Sequence, residues 1–136
     1  MNLSKEKTDR PRLIVTLLSF GFKHGLPPDS DLVLDVRFLP NPHFVPRLCH
    51  ATGKDRRVRQ FLDKHASTAQ FLDRATEFLT YLVPQYVGEG KSYLTIAIGC
   101  KGGRQRSVAM AEALRGRLAT LGGVRVRVKH RDIKAE

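Results

Sequence analysis

Residues Gly99 to Ser107, GCKGGRQRS, set Lys101, Arg104 and Arg106 among glycines directly after an apolar run. Glycines at Gly102 and Gly103 let backbone N–H groups approach an anion closely, and a helix beginning there adds unsatisfied donors and its positive dipole end. Arg106 offers a planar fork for two phosphate oxygens while the glycine amides take the third. Ser107 can cap the helix or bond the same anion. The chemistry is that of a phosphate cradle, with phosphate or sulfate as the expected ligand.

Such a cradle needs a strand before it and a helix after it. SYLTIAI, rich in β-branched and aromatic residues, reads as a buried strand, and VAMAEALRGRLATL carries leucines at helical spacing as far as Leu121. Upstream, a first strand is expected over about Arg12 to Ser19, and DLVLDVRF reads as a second strand beyond a loop shaped by Gly and Pro. Asp35 and Arg37, two residues apart near the end of that strand, then point to one face, where open α/β sheets place ligands. They either serve a ligand, Asp35 accepting from hydroxyls or an ammonium and Arg37 answering phosphate, or satisfy each other.

LPNPHFVPRLCHATGKD follows, and its three prolines exclude regular helix or central strand. Ordered loops of this length are usually functional, and His43 within it could bond a sugar or a carbonyl. His24 and His65 read as surface residues. From Asp55 the pattern is helical, with Ser67 as the cap of a second helix whose apolar stripe is Phe71, Leu72, Ala75, Phe78, Leu79 and Leu82. Gly88 and Gly90 stop it. After Gly122-Gly123, VRVRVKH alternates Val124, Val126 and Val128 with Arg125, Arg127 and Lys129, so one face packs and the other bears a cationic row that His130, Arg131 and Lys134 extend. The row is either a charge-guarded edge or a contact for a phosphate backbone.

The order of elements implies an α/β domain with a mainly parallel sheet flanked by helices. The 136 residues fit one domain at 12–136 after a flexible start at 1–11. With 24 Lys+Arg against 13 Asp+Glu, a formal charge of +11 attracts polyanions, nucleic acid first. Cys49 and Cys100 lack metal-ligand spacing, so neither a disulfide framework nor a metal site is expected, and a reducing cytoplasm is the default. RLIVTLLSF is too short to span a bilayer, and Glu6 and Asp9 argue against a secretory leader.

SFGFKHGLPPDSDLVLDVRFLPNPHFVPRL, TGKDRRV, SYLTIAIGCKGGRQRSVAMAE and VKHRD, in this order, resemble the C-terminal domain of the RNase adapter protein RapZ family, from about Ser19 to Asp132. The resemblance implies a phosphofructokinase sub-domain-like fold that binds an amino-sugar phosphate and contributes to RNA binding. It implies a pocket formed by Asp35, Arg37 and His43 with Gly102, Gly103 and Arg106. Family members usually carry an N-terminal P-loop kinase-like domain. These residues contain no GxxxxGK[ST] sequence, so the reading is of the C-terminal domain alone, without ATPase or GTPase activity. The family cradle typically reads GCTGGxHRSV, and here Lys101 and Gln105 replace its threonine and histidine. Both join the expected ligand set, which is completed by Ser107.

C-x-x-G-x-x-R-S also matches the protein tyrosine phosphatase signature, in which a thiolate attacks phosphorus; Cys100 would be that nucleophile. The histidine that usually precedes the cysteine is Gly99 here. The expected function is therefore a non-enzymatic sensor of a phosphorylated metabolite that presents a basic surface to RNA or an RNA-processing enzyme, compatible with self-association. The alternatives are a small cysteine-dependent phosphatase and a sensor acting only on protein partners.

Overall fold

The computed structural model describes residues 11–135, so the flexible start expected at 1–11 lies almost wholly outside the described residues. Strands β1 (Leu13–Gly21), β2 (Leu32–Asp35), β3 (Tyr93–Cys100) and β4 (Val124–His130) form a sheet in the order β2-β3-β1-β4. Each neighbouring pair is parallel. Helices α1 (Arg56–Asp63) and α2 (Ala66–Gly88) connect β2 to β3, and α3 (Arg106–Leu118) connects β3 to β4. The expected α/β class is the one observed.

Both helical connections carry the chain the same way across the sheet, so right-handed crossovers put their helices on one face. Alternation within the strands supplies that face. Leu13, Val15 and Leu17 of β1 and Leu94, Ile96 and Ile98 of β3 are fully buried there with Leu79 and Val83 of α2 and Met110, Leu114 and Leu118 of α3. Each buried side chain of this size contributes about 1.5–3 kcal/mol, so this layer dominates the stability of the domain. The opposite sheet face, which carries the intervening residues of each strand, has no α-helix over it among the described residues, and at its carboxyl end the 3₁₀ turn Phe22–His24 packs Phe22 against the fully buried Phe20.

The helix boundaries differ in detail from the sequence pattern. Asp55 caps α1, its Oδ1 accepting from Arg57 N at 2.9 Å. The cap position of α2 is His65, not Ser67, and α3 ends at Leu118 rather than Leu121. Within α2 the buried line is Thr68, Leu72, Ala75, Leu79 and Val83, while Phe78 is 49% exposed. Two apolar lines interleave on this helix, and only one meets the sheet.

Candidate anion-binding site

β3 delivers the chain to the cradle at the carboxyl edge of the sheet. Cys100 falls on the helix-covered side, where its thiol, 3% exposed, donates to Ser107 Oγ at 3.1 Å and its Sγ accepts from Gly103 N–H at 3.3 Å. The turn between β3 and α3 thus wraps around a sulfur atom. Ser107 is buried beneath it, neither capping α3 nor facing solvent, because the helix begins one residue earlier. Gly103 has φ +82° and lies against the end of β1, where a Cβ would come within 2.5 Å of Gly21 N.

Around this turn lies a cavity of about 410 Å³, within the range of small-molecule sites. Lys23, Lys101, Arg104 and Arg106 bring four cations to it, Asn41 and His43 supply polar groups, and Phe44, Cys49 and Gly102 complete much of the wall. None of its described lining residues is acidic. The cavity draws on the proline-rich segment, whose 3₁₀ turns Pro42–Phe44 and Pro46–Leu48 arrange the side chains. Asn41 Oδ1 accepts from His43 N at 3.1 Å, which engages the carbonyl of that amide in the turn.

Arg106 is only 6% exposed, and one terminal nitrogen, Nη1, donates to the carbonyls of Arg37 at 2.7 Å and Leu39 at 3.1 Å. Burial pulls its pKa below the ordinary value, against the opposing influence of Cys100 and Asp35. The guanidinium therefore joins the cradle to the 37–39 segment while lining the cavity. Gln105, expected as a ligand contact, spends its amide nitrogen on Leu48 O at 2.7 Å and Ala51 O at 3.0 Å. It braces the wall.

The structure brings His43, Lys101, Gly102, Gln105 and Arg106 of the expected set to the cavity, and leaves Asp35, Arg37, Gly103 and Ser107 off its lining. Asp35 pairs in register with Gly99, whose strand position is on the uncovered face, whereas the neighbouring Cys100 faces the helices. Arg37, past the end of β2, folds back onto Asp35 in a forked pair with Nη2–Oδ2 2.7 Å, and its guanidinium lies 3.8 Å from the Phe22 ring centre. The Arg37 hydrogen bond holds the Asp35 carboxyl below its ordinary range. Lys23, Asn41, Phe44 and Cys49 reach the cavity only through tertiary contacts, which local sequence does not report, while Arg104 comes from the turn itself.

The cationic row also needs correction. Arg125, Arg127 and Lys129 are exposed on the uncovered face, as alternation requires, and Lys134 is exposed beyond β4. His130 has the parity of the valines, and its ring bridges Ser19 Oγ (2.6 Å from Nδ1) and Glu112 Oε2 (2.7 Å from Nε2). It ties β4 to β1 and α3. Arg131 is likewise engaged, donating to Gly25 O at 2.7 Å and to Asp132 Oδ2 at 2.8 Å.

Asp132 closes the corner beside Gly103 by accepting from Gly21 N–H at 2.8 Å. Burial pushes its carboxyl up, but Arg131 and the Gly21 N–H outweigh burial and hold the pKa below the ordinary 3.8. A carboxyl depressed in the folded state contributes stability that is present above the unfolded pKa and lost as pH falls through the folded one. Asp132→Asn is accordingly expected to lower the thermal midpoint at neutral pH and to converge with the wild type as the pH falls below the ordinary carboxylate range. Circular-dichroism melts across that range check this, and a gap independent of pH would assign the contribution to shape rather than charge.

Comparison with known proteins gives a consistent result. A family model described as RapZ C-terminal domain matches residues 13–134. A nucleotide-binding protein of Trichlorobacter lovleyi is 57% identical over 120 residues, covering 88% of this chain and 42% of the relative. A nucleotide-binding protein of Geobacter sulfurreducens is 54% identical over 127 residues, covering 93% of this chain and 44% of the relative. One of Acidobacterium capsulatum is 52% identical over 121 residues, covering 89% and 39%. The chain thus spans well under half the length of these relatives.

Proposed function

The chain belongs to the RapZ C-terminal domain family, and from that premise we propose that it senses a phosphorylated sugar metabolite, of the amino-sugar phosphate class, and acts as an RNA-binding adapter. The observation that carries the reading is the cavity at the start of α3, where Lys23, Lys101, Arg104 and Arg106 meet without a carboxylate in the lining. The phosphate sits against Lys101, Gly102 and Arg106 at the helix start, where charge and backbone donors add. The sugar extends towards Asn41, His43 and Phe44, whose ring is 80% exposed and available to cover an apolar sugar face. We assign the nucleotide binding named for the relatives to their remaining length, since no GxxxxGK[ST] sequence lies within these residues.

A phosphatase is the competing reading. It is favoured by the Cys100 sulfur at the cavity wall with a Gly103 N–H aimed at it. It is disfavoured by the burial of the thiol, 3% exposed beneath the turn.

Calorimetric titration tests the preferred reading. An amino-sugar phosphate should bind more tightly than inorganic phosphate or the unphosphorylated sugar. His43→Ala should weaken the sugar phosphate and leave inorganic phosphate unchanged. Failure of every phosphate compound to bind would remove the sensor reading.

A further inference from the structure

The uncovered face of the sheet has a composition unlike a mere solvated surface. Register places Tyr93, Ile14 and Arg125 in one row across β3, β1 and β4, then Thr95, Thr16 and Arg127, then Ala97, Leu18 and Lys129, with Val33 of β2 extending the third row. Tyr93 is 63% exposed and Val33 44%, Ile14 and Leu18 are half-buried, and Thr16 and Ala97 are buried among them. An aromatic and aliphatic strip thus runs beside an edge strand that carries three cations. Alternate strand residues repeat every 6.7 Å or so, giving a regular ladder of positive charge. Arg127 Nε donates to Thr16 Oγ1 at 2.7 Å, so its stem lies over the sheet rather than away from it.

Resting on the RNA-binding reading above, we infer that this open face is a platform for a single-stranded RNA segment, with bases against Tyr93, Ile14 and Leu18 and phosphates along Arg125, Arg127 and Lys129. The combination is selective on physical grounds. A single strand offers free base faces on one side and a row of phosphates on the other, which matches the strip and the ladder together. A duplex hides its base faces inside a cylinder, so it engages the cations and leaves the apolar strip unsatisfied. A second copy laid on this face would bring two cationic ladders close together, and the chain's net charge of +11 opposes that arrangement as well.

Fluorescence anisotropy with a labelled RNA single strand and a duplex of equal length, across a salt series, tests the platform. The single strand should bind more tightly, and Tyr93→Ala should weaken it by about fivefold or more while changing duplex binding little. Alanine at Arg125, Arg127 or Lys129 should weaken binding across sequences and reduce the logarithmic salt slope by about one each. Tyr93, Arg125 and Lys129 face solvent, so their alanine variants should leave the melting curve in place, whereas Arg127→Ala also removes the donor to Thr16 Oγ1 and is read by its salt slope; ultraviolet crosslinking of wild type should mark the peptide bearing Tyr93. RNA binding insensitive to these four residues would overturn the platform and leave the adapter reading standing. Equal affinity for single strand and duplex, with Tyr93→Ala silent, would also overturn it. No RNA binding at low salt would remove both. A dimer abolished by the triple substitution, with RNA excluded by dimerisation, would reassign the face to self-association.

Discussion

Gly103→Ala is expected to destabilise the protein by about 3 kcal/mol or more and to abolish anion binding, whereas Gly102→Ala should be tolerated. The two glycines are adjacent in sequence, side by side in the same turn. Their surroundings differ. At Gly103 the backbone has φ +82°, which L side chains rarely adopt, and a Cβ would meet Gly21 N at 2.5 Å and the Asp132 Cβ at 2.8 Å. Neither neighbour can yield cheaply, since Gly21 is the end of β1 and Asp132 holds the Gly21 N–H. A Cβ on Gly102 would meet nothing within 4 Å. Urea unfolding with phosphate titration checks the pair; similar midpoints would mean that the turn relaxes around an added methyl group.

The contrast shows where sequence reasoning ends. Periodicity was sufficient for β1, β3 and α3, because apolar runs and leucine spacing report burial directly. The parity of β4 placed Arg125, Arg127 and Lys129 on one face, and the same parity would have placed His130 with the valines had it been followed one residue further. Asp35 and Arg37 take the second of their two readings, satisfying each other, but in a geometry that strand parity does not give. Their shared face assumed that the strand continued, but it ends at Asp35, and Arg37 bends back to pair with it.

Gln105 and Cys49 lay beyond local inference altogether. The Gln105 amide reaches Leu48 and Ala51, more than fifty residues away in sequence, and Cys49 arrives at the cavity through that brace. A motif reports which groups share a turn; it does not report which wall the turn leans on. The interleaved lines of α2 pose the same difficulty, since Phe71 and Phe78 are as apolar as Leu72 and Leu79. Only packing reveals that Phe71 meets Phe38, with ring centres 6.0 Å apart, rather than the sheet.

Arg106→Ala combines loss of structure with loss of ligand binding. Removing the guanidinium leaves the carbonyls of Arg37 and Leu39 without their donor in a buried setting, at a cost of about 1–3 kcal/mol for each group left unsatisfied. The same change deletes a buried cation from the cavity, and phosphate affinity should fall by about tenfold or more. Arg106→Lys keeps the charge and loses the fork, so it should recover part of the affinity and little of the stability. Cys100→Ser separates sensor from phosphatase because it touches neither term. A sensor keeps its ligand affinity within about a factor of two, since a hydroxyl can still receive the Gly103 N–H and face Ser107. A phosphatase would lose all turnover, because serine supplies no comparable anion near neutral pH. The expected result is no phosphate release from aryl or sugar phosphates by the wild type, with nearly unchanged binding by the serine variant. Release of phosphate that Cys100→Ser abolishes while the ligand still binds would establish the thiol as a nucleophile, and the sensor reading would give way.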